Sequence, residues 1–178
     1  MIKRLFAAAL TLLALTLFSC AGDSIGDFDF SDSDISCRVV YTTSDESYTL
    51  DCRREGGTLT LVFSLPERLE GMTVRRAGET TLSFDKVEVP LASGNPIAEA
   101  LNSVFSVSPG DLRSTDTVRL NGADINRLTF GTESGDVVLY ILSDGKTPVR
   151  AEGEYDGAPF TLDFSEFEYL PSPETSGE

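Results

Sequence analysis

The chain has 178 residues, with 14 Lys and Arg against 29 Asp and Glu, a formal net charge of −15 and no histidine. A field this negative repels nucleic acid and anionic lipid headgroups, so neither is an expected partner. Without histidine, every Ser–His, Cys–His and His–metal arrangement is excluded. One domain is expected at this length, burying about 70% of the surface that its unfolded chain exposes.

Lys3 and Arg4 precede an uncharged run, Leu5 to Phe18. As a helix at ~1.5 Å per residue it reaches about 21 Å, short of a ~30 Å hydrocarbon layer, which fits a secretory signal better than a span. The run closes on "LFSC", which resembles the bacterial lipobox: Leu at −3 and a small residue at −1 before an invariant Cys. The resemblance implies cleavage between Ser19 and Cys20, acylation of the Cys20 thiol and attachment to the membrane. Phe18 departs from the usual small residue at −2, and an ordinary signal with an incidental cysteine is the alternative. Loss of residues 1–19 takes Lys3 and Arg4 with it, leaving 12 basic against 29 acidic side chains, a net of −17.

Residues 20–35 read as an acidic tether. Asp27, Asp29, Asp32 and Asp34 have a spacing that can suggest a calcium loop, but the Gly at position six and the Glu at position twelve are missing. A solvated linker is the better reading, and no metal or cofactor is expected.

From Cys37 the pattern is period-two alternation broken by turns at Gly56-Gly57, Ala77-Gly78, Asn121-Gly122, Asp144-Gly145 and Asp156-Gly157. A hairpin centred on Ser44-Asp45 pairs Tyr41 with Tyr48, Val39 with Leu50 and Cys37 with Cys52. A turn at Gly56-Gly57 pairs Tyr48 with Leu65, Leu50 with Phe63 and Cys52 with Leu61. All nine residues then share one face. At the other end Tyr140, Val149 and Phe164 line up, as do Val138, Ala151 and Leu162. A slip of one residue would turn a strand inside out, so this agreement constrains the register. Asn95 and Pro96 open one helix, with Ile97, Leu101, Val104 and Phe105 on a single stripe. Residues 171–178 form a polar tail.

The fold expected is mainly β: an antiparallel meander of about 10–11 strands, curled into an incomplete barrel over residues 36–170, with one short α-helix on the concave side. Ten or eleven strands at ~4.8 Å make a sheet roughly 45–50 Å across. An eleven-residue helix, about 16 Å long and ~10 Å thick, cannot shield so wide an apolar face if the sheet stays open. Either the sheet curls and packs on itself, or an apolar groove remains. The candidate lining residues are Leu61, Phe63, Leu82, Phe84, Leu101, Phe105, Leu128, Phe130, Tyr140 and Leu162, each of which could equally be core.

Cys37 and Cys52 are expected to form a disulfide in an oxidising compartment, with buried thiols as the alternative. A four-residue loop, Thr43 to Glu46, would put the pair in the close, non-hydrogen-bonded class; a two-residue loop would not. No Walker loop, G-x-G-x-x-G or G-x-S-x-G occurs. The carboxylates lie on exposed strand faces and in turns, where solvation explains them, so an enzyme is not expected.

The lipobox, acidic tether, antiparallel meander, "PLASGNPIAEAL" helix and terminal "TPVRAEGEYDGAPFTLDFSEFE" together resemble the LolA/LolB-type lipoprotein-carrier fold, shared by LppX/LprG-type lipoproteins. The resemblance spans roughly Cys37 to Tyr169. It implies a half-barrel that wraps around helices and holds acyl chains, although that group has several helices where this chain has one. The expected function is a membrane-anchored, extracytoplasmic lipoprotein binding a lipid or other apolar molecule. The alternative is a non-enzymatic module that docks another envelope protein and has no ligand cavity.

Overall fold

The computed structural model describes residue 30, residues 33–132 and residues 135–171. The signal segment, Cys20, the calcium-like aspartates Asp27, Asp29 and Asp32, and residues 172–178 lie outside them. Eleven strands form one antiparallel sheet: β1 (Ile35–Thr42), β2 (Ser47–Glu55), β3 (Thr58–Leu65), β4 (Thr73–Ala77), β5 (Glu79–Phe84), β6 (Val87–Pro90), β7 (Leu112–Leu120), β8 (Ala123–Thr132), β9 (Gly135–Ile141), β10 (Pro148–Tyr155) and β11 (Ala158–Tyr169). Their spatial order is β6-β5-β4-β3-β2-β1-β11-β10-β9-β8-β7. Two meanders therefore meet where β1 pairs with β11, and among the described residues β6 and β7 are left as open edges. The barrel is incomplete, as expected.

Helix α1 (Pro96–Phe105) joins the two edge strands by crossing the concave face, where it packs on β3, β9 and β10. Asn95 starts it, its Oδ1 accepting from the Ile97 and Ala98 amides at 3.0 and 3.1 Å. Pro96 follows at the first turn, where its missing N–H costs nothing. Ile97, Ala98, Ala100, Leu101, Val104 and Phe105 are buried, which is the apolar stripe turned to the sheet.

The hairpin registers hold where turn and pattern agree. Val39 lies opposite Leu50, Cys37 opposite Cys52, Leu50 opposite Phe63 and Ala151 opposite Leu162. Two bulges alter the rest. Near the mouth of β3, Thr49 rather than Tyr48 pairs with Leu65, because one extra residue sits between Phe63 and Leu65. Between β9 and β10, Ile141 pairs with Pro148 but Tyr140 pairs with Arg150 and Leu139 with Ala151, leaving Val149 as the extra residue. A bulge in a period-two element exchanges its faces. Val137, Leu139 and Ile141 are consequently the buried set of β9, and Val138 and Tyr140 turn outward.

The tether does not run solvated to residue 35. Phe30 is fully buried, edge-on to Phe105 and Phe167 at ring-centroid distances of 6.1 and 6.0 Å and stacked with Tyr169. Arg54 clasps the same end of the fold, donating to the Phe30 carbonyl and, at 3.2 Å, to the Phe105 carbonyl that ends α1. Asp34 accepts from the Gly56 amide at 2.8 Å, and its carbonyl accepts from Leu170 at 2.8 Å. The acidic sequence hid an aromatic plug. Replacing Phe30 by Ala should cost about 3–5 kcal/mol, the range for emptying a phenyl-sized core site. Urea denaturation checks this, and a loss below about 1 kcal/mol would mean that the plug does not hold the end closed.

Candidate apolar binding site

Seven of the ten candidate lining residues lie at the centre of the concave face. Leu61, Phe63, Leu101, Phe105, Leu128, Phe130 and Leu162 are each at most 2% exposed, packed into one core with the buried face of α1. The sheet curls around the helix, so most of the face that looked too wide to cover is filled. The other three fall elsewhere. Leu82, on β5, is half-buried at the margin of the core, and Phe84 on the same strand is 50% exposed. Tyr140 is on the convex face, its hydroxyl donating to Glu152 at 3.0 Å. There it joins a polar row in which Arg127 pairs with Asp116 at 2.6 Å and Arg150 with Asp163 at 2.7 Å. Tyr140 is therefore no part of an apolar lining, for the reason given by the Val149 bulge.

The concave face opens at the N-terminal end of α1. A cavity of about 310 Å³ lies there, lined by Tyr41, Tyr48, Phe63, Leu69, Met72 and Ile97, with Thr43, Glu46, Asn95 and Pro96 completing it. The β1–β2 hairpin sets Tyr41 opposite Tyr48, their rings 6.3 Å apart, and Tyr48 stands edge-on to Phe63 at 6.1 Å. Tyr41 also stacks on Phe160 at 6.2 Å. Residues 66–72 then fold back over the end of β3. The Phe63 amide donates to the Met72 carbonyl and the Gly71 amide to the Phe63 carbonyl, both at 2.9 Å, which brings Leu69 and Met72 to the cavity wall. Arg68 pairs with Glu46 at 3.2 Å across the rim. Burial raises the Tyr41 phenol above its ordinary pKa, so it stays neutral, as an apolar site requires.

Of this lining only Phe63 is among the ten candidate lining residues, while Asn95, Pro96 and Ile97 belong to the expected helix. Tyr41 and Tyr48 were on the correct face but lay next to a loop, and Leu69 and Met72 sit in a connection where no periodicity marks them. A larger hollow of about 510 Å³ is lined by residues 78–80 and 90–94 with Glu99, and differs in having two carboxylates, Glu79 and Glu99, and no aromatic side chain. The apolar surface continues instead along the uncovered part of the concave face. Phe84, Val87 and Val89 are 50, 64 and 46% exposed.

Cys37 and Cys52 are both buried, directly opposed, and present as free thiols. The Thr43 amide donates to the Glu46 carbonyl at 2.9 Å, and the register runs unbroken from there. Six steps along, the 37:52 pair belongs to the hydrogen-bonded class, in which Cα atoms stand ~5.5 Å apart rather than ~4.5 Å. The hairpin behaves as a two-residue loop, which corrects the closer pairing expected from a four-residue one. A hydrogen bond with Cys37 and burial push the Cys52 thiol well above its ordinary pKa, so it is no ready nucleophile.

An uncharacterized conserved protein from Thermus thermophilus is 18% identical, over 82% of this chain and 83% of that one, with a TM-score of 0.51. The likeness is one of fold. The LolA superfamily protein NE2245 from Nitrosomonas europaea matches at 14% identity over 81% and 89% of the two chains, with a TM-score of 0.39. Lipoprotein LppX of Mycobacterium tuberculosis matches at 16% identity over 76% and 86%, with a TM-score of 0.45. No protein-family model matches the sequence, and no curated protein does.

The two phenylalanines singled out from the sequence now separate cleanly. Phe63→Asp would bury an unpaired carboxylate among core residues and should unfold the domain. Phe84→Asp alters a half-exposed position and should leave the fold intact. Circular dichroism through a urea titration distinguishes them, and equal midpoints for both variants would contradict the packing described.

Proposed function

We propose that the protein is an extracytoplasmic lipoprotein, tied to the membrane through acylated Cys20, that holds an apolar molecule such as a fatty-acyl chain at the mouth of its half-barrel. The mouth carries this reading: an aromatic and aliphatic cavity of about 310 Å³, open to solvent in an otherwise filled core. That volume lies at the lower end of the ~300–1,000 Å³ usual for ligand pockets, so it suits one chain or a small apolar body rather than a many-chained lipid. Its lining supplies dispersion contacts and two phenols, a set suited to holding rather than to making bonds. The lipobox-like "LFSC" supports the anchor. In an oxidising compartment the opposition of Cys37 and Cys52 would favour a disulfide over two buried thiols.

A second reading, a module that docks another envelope protein, is favoured by the exposed strip of Phe84, Val87 and Val89, which no element covers among the described residues. Probe binding separates the two. The chain from Ser24 onward should take up a fluorescent fatty acid, and Tyr48→Ala should weaken uptake about tenfold or more while Phe84→Asp leaves it unchanged. A folded wild-type domain that neither binds the probe nor yields lipid on extraction and mass spectrometry would transfer the argument to the docking module. The anchor has its own test in the intact mass of membrane-extracted protein, which should begin at Cys20 and carry a thioether-linked diacylglycerol.

A further inference from the structure

The two edges of the open sheet are not alike. β6 is four residues long and ends in Pro90, which has no N–H to offer. The Leu91 amide donates to the Thr80 carbonyl at 2.8 Å, so alternation along the strand turns Glu88 and Pro90 outward. That edge presents a single outward amide, an arrangement that blunts strand addition. β7 is nine residues long and contains no proline. It closes on β8 through Asn121 and Gly122, at φ 50° and 86°, the two-residue turn in which the flanking pair, Leu120 and Ala123, is hydrogen-bonded. The register is unbroken from Ser114 to Leu120, so Thr115, Thr117 and Arg119 turn their amides and carbonyls away from β8. Three donors and three acceptors at strand spacing stand along this edge, and the groups that match them are those of another extended backbone.

We propose that β7 pairs antiparallel with β7 of a second copy, joining two half-barrels into one continuous sheet across a two-fold axis. Charge selects the partner. The chain as a whole is strongly acidic, yet β7 and β8 carry three arginines, Arg113, Arg119 and Arg127, against two aspartates, Asp116 and Asp124. Asp136 of β9 pairs with Arg113, so this edge is close to neutral, and two such acidic molecules meet here with less repulsion than at β5 and β6, which carry Glu79 and Glu88 and no basic residue. Register is selected as well. Centring the pair on Asp116 would oppose two carboxylates, whereas centring it on Thr117 sets Thr117 against Thr117, Thr115 against Arg119 and Asp116 against Val118. The pairing is isologous and uses the edge that proline does not guard, so it closes at two copies rather than growing into a fibre.

Thr117→Cys tests the register in the full chain, in its own membranes. Under mild oxidant it should give a covalent dimer, because the two residues face one another across the axis in the hydrogen-bonded class, at a Cα separation compatible with a disulfide. Ser44→Cys, on the exposed β1–β2 loop at the mouth, should give none. Thr117→Pro removes an amide that points away from β8 and so leaves the β7–β8 ladder whole. In purified protein it should lower the dimer fraction at least tenfold by native mass spectrometry, with circular dichroism unchanged. Cross-linking at Ser44 equal to that at Thr117, or a wild-type dimer that Thr117→Pro does not weaken, would overturn the proposal. A wild-type chain that stays monomeric up to 100-fold above its working concentration would overturn it too.

Discussion

The contact between α1 and the concave face of the sheet is the constraint on which the rest depends. A sheet of eleven strands has far more apolar surface than one helix can cover when flat. It is covered because the sheet curls until β3 on one side and β9 and β10 on the other all touch the same ten-residue helix. Small residues make that approach possible. Ala98 and Ala100 on the helix and Ala151 on β10 are fully buried. On β10, Gly153 leaves room for the Phe160 ring, which lies 2.8 Å from where a Cβ would stand. Larger side chains at the three alanines would push helix and sheet apart, and the gain of about 25 cal/mol per Å² of buried apolar surface would be reduced across the contact, whereas one at Gly153 would displace the Phe160 ring of β11.

Much of this was legible in the sequence because strand alternation and turn chemistry point the same way. The hairpins at Ser44-Asp45, Gly56-Gly57 and Asp156-Gly157 have the registers that their turns dictate, and Asn95-Pro96 opens the helix. What misled was the segment around Val138 to Leu142, where apolar residues occur at both parities. There the pattern does not choose a face, and the Val149 bulge decides which side Tyr140 takes. Phe30 was hidden for a different reason: it stands with Phe28 among five aspartates, and two alternating aromatics are too short a pattern to outweigh so acidic a stretch. Leu69 and Met72 were hidden by lying in a connection, where burial is set by tertiary approach alone.

The same physics accounts for where the molecule is filled and where it is open. The buried residues of the helix fan over about 160° at about 100° per residue, and the helix packs chiefly on β3, β9 and β10 rather than on β5 and β6. Phe84, Val87 and Val89 therefore remain exposed on the short flank, and the mouth persists where the first turn of α1 meets the β1–β2 hairpin. At that mouth the polar groups are paired with one another, Arg68 with Glu46 and Asn95 with the helix amides, which leaves the aromatic rings as the surface free to meet a ligand.

The two ends of β1 give the molecule a direction. Ile35, at its start, lies beside the Phe30 plug, the end of α1 and the last residues of β11, whereas Tyr41, near its finish, lines the mouth. Six steps at about 3.3 Å separate these two residues by roughly 20 Å. The N-terminal chain enters at the plugged end, clasped by Arg54 through the Phe30 and Phe105 carbonyls, so any attachment upstream of residue 30 pulls on the end remote from the cavity. Tension on an upstream attachment would be borne by the Arg54 clasp and the aromatic plug. The cavity wall, built from the β1–β2 hairpin and residues 66–72, shares none of those contacts, and the fold keeps residue 30 and the opening at opposite ends of one central strand.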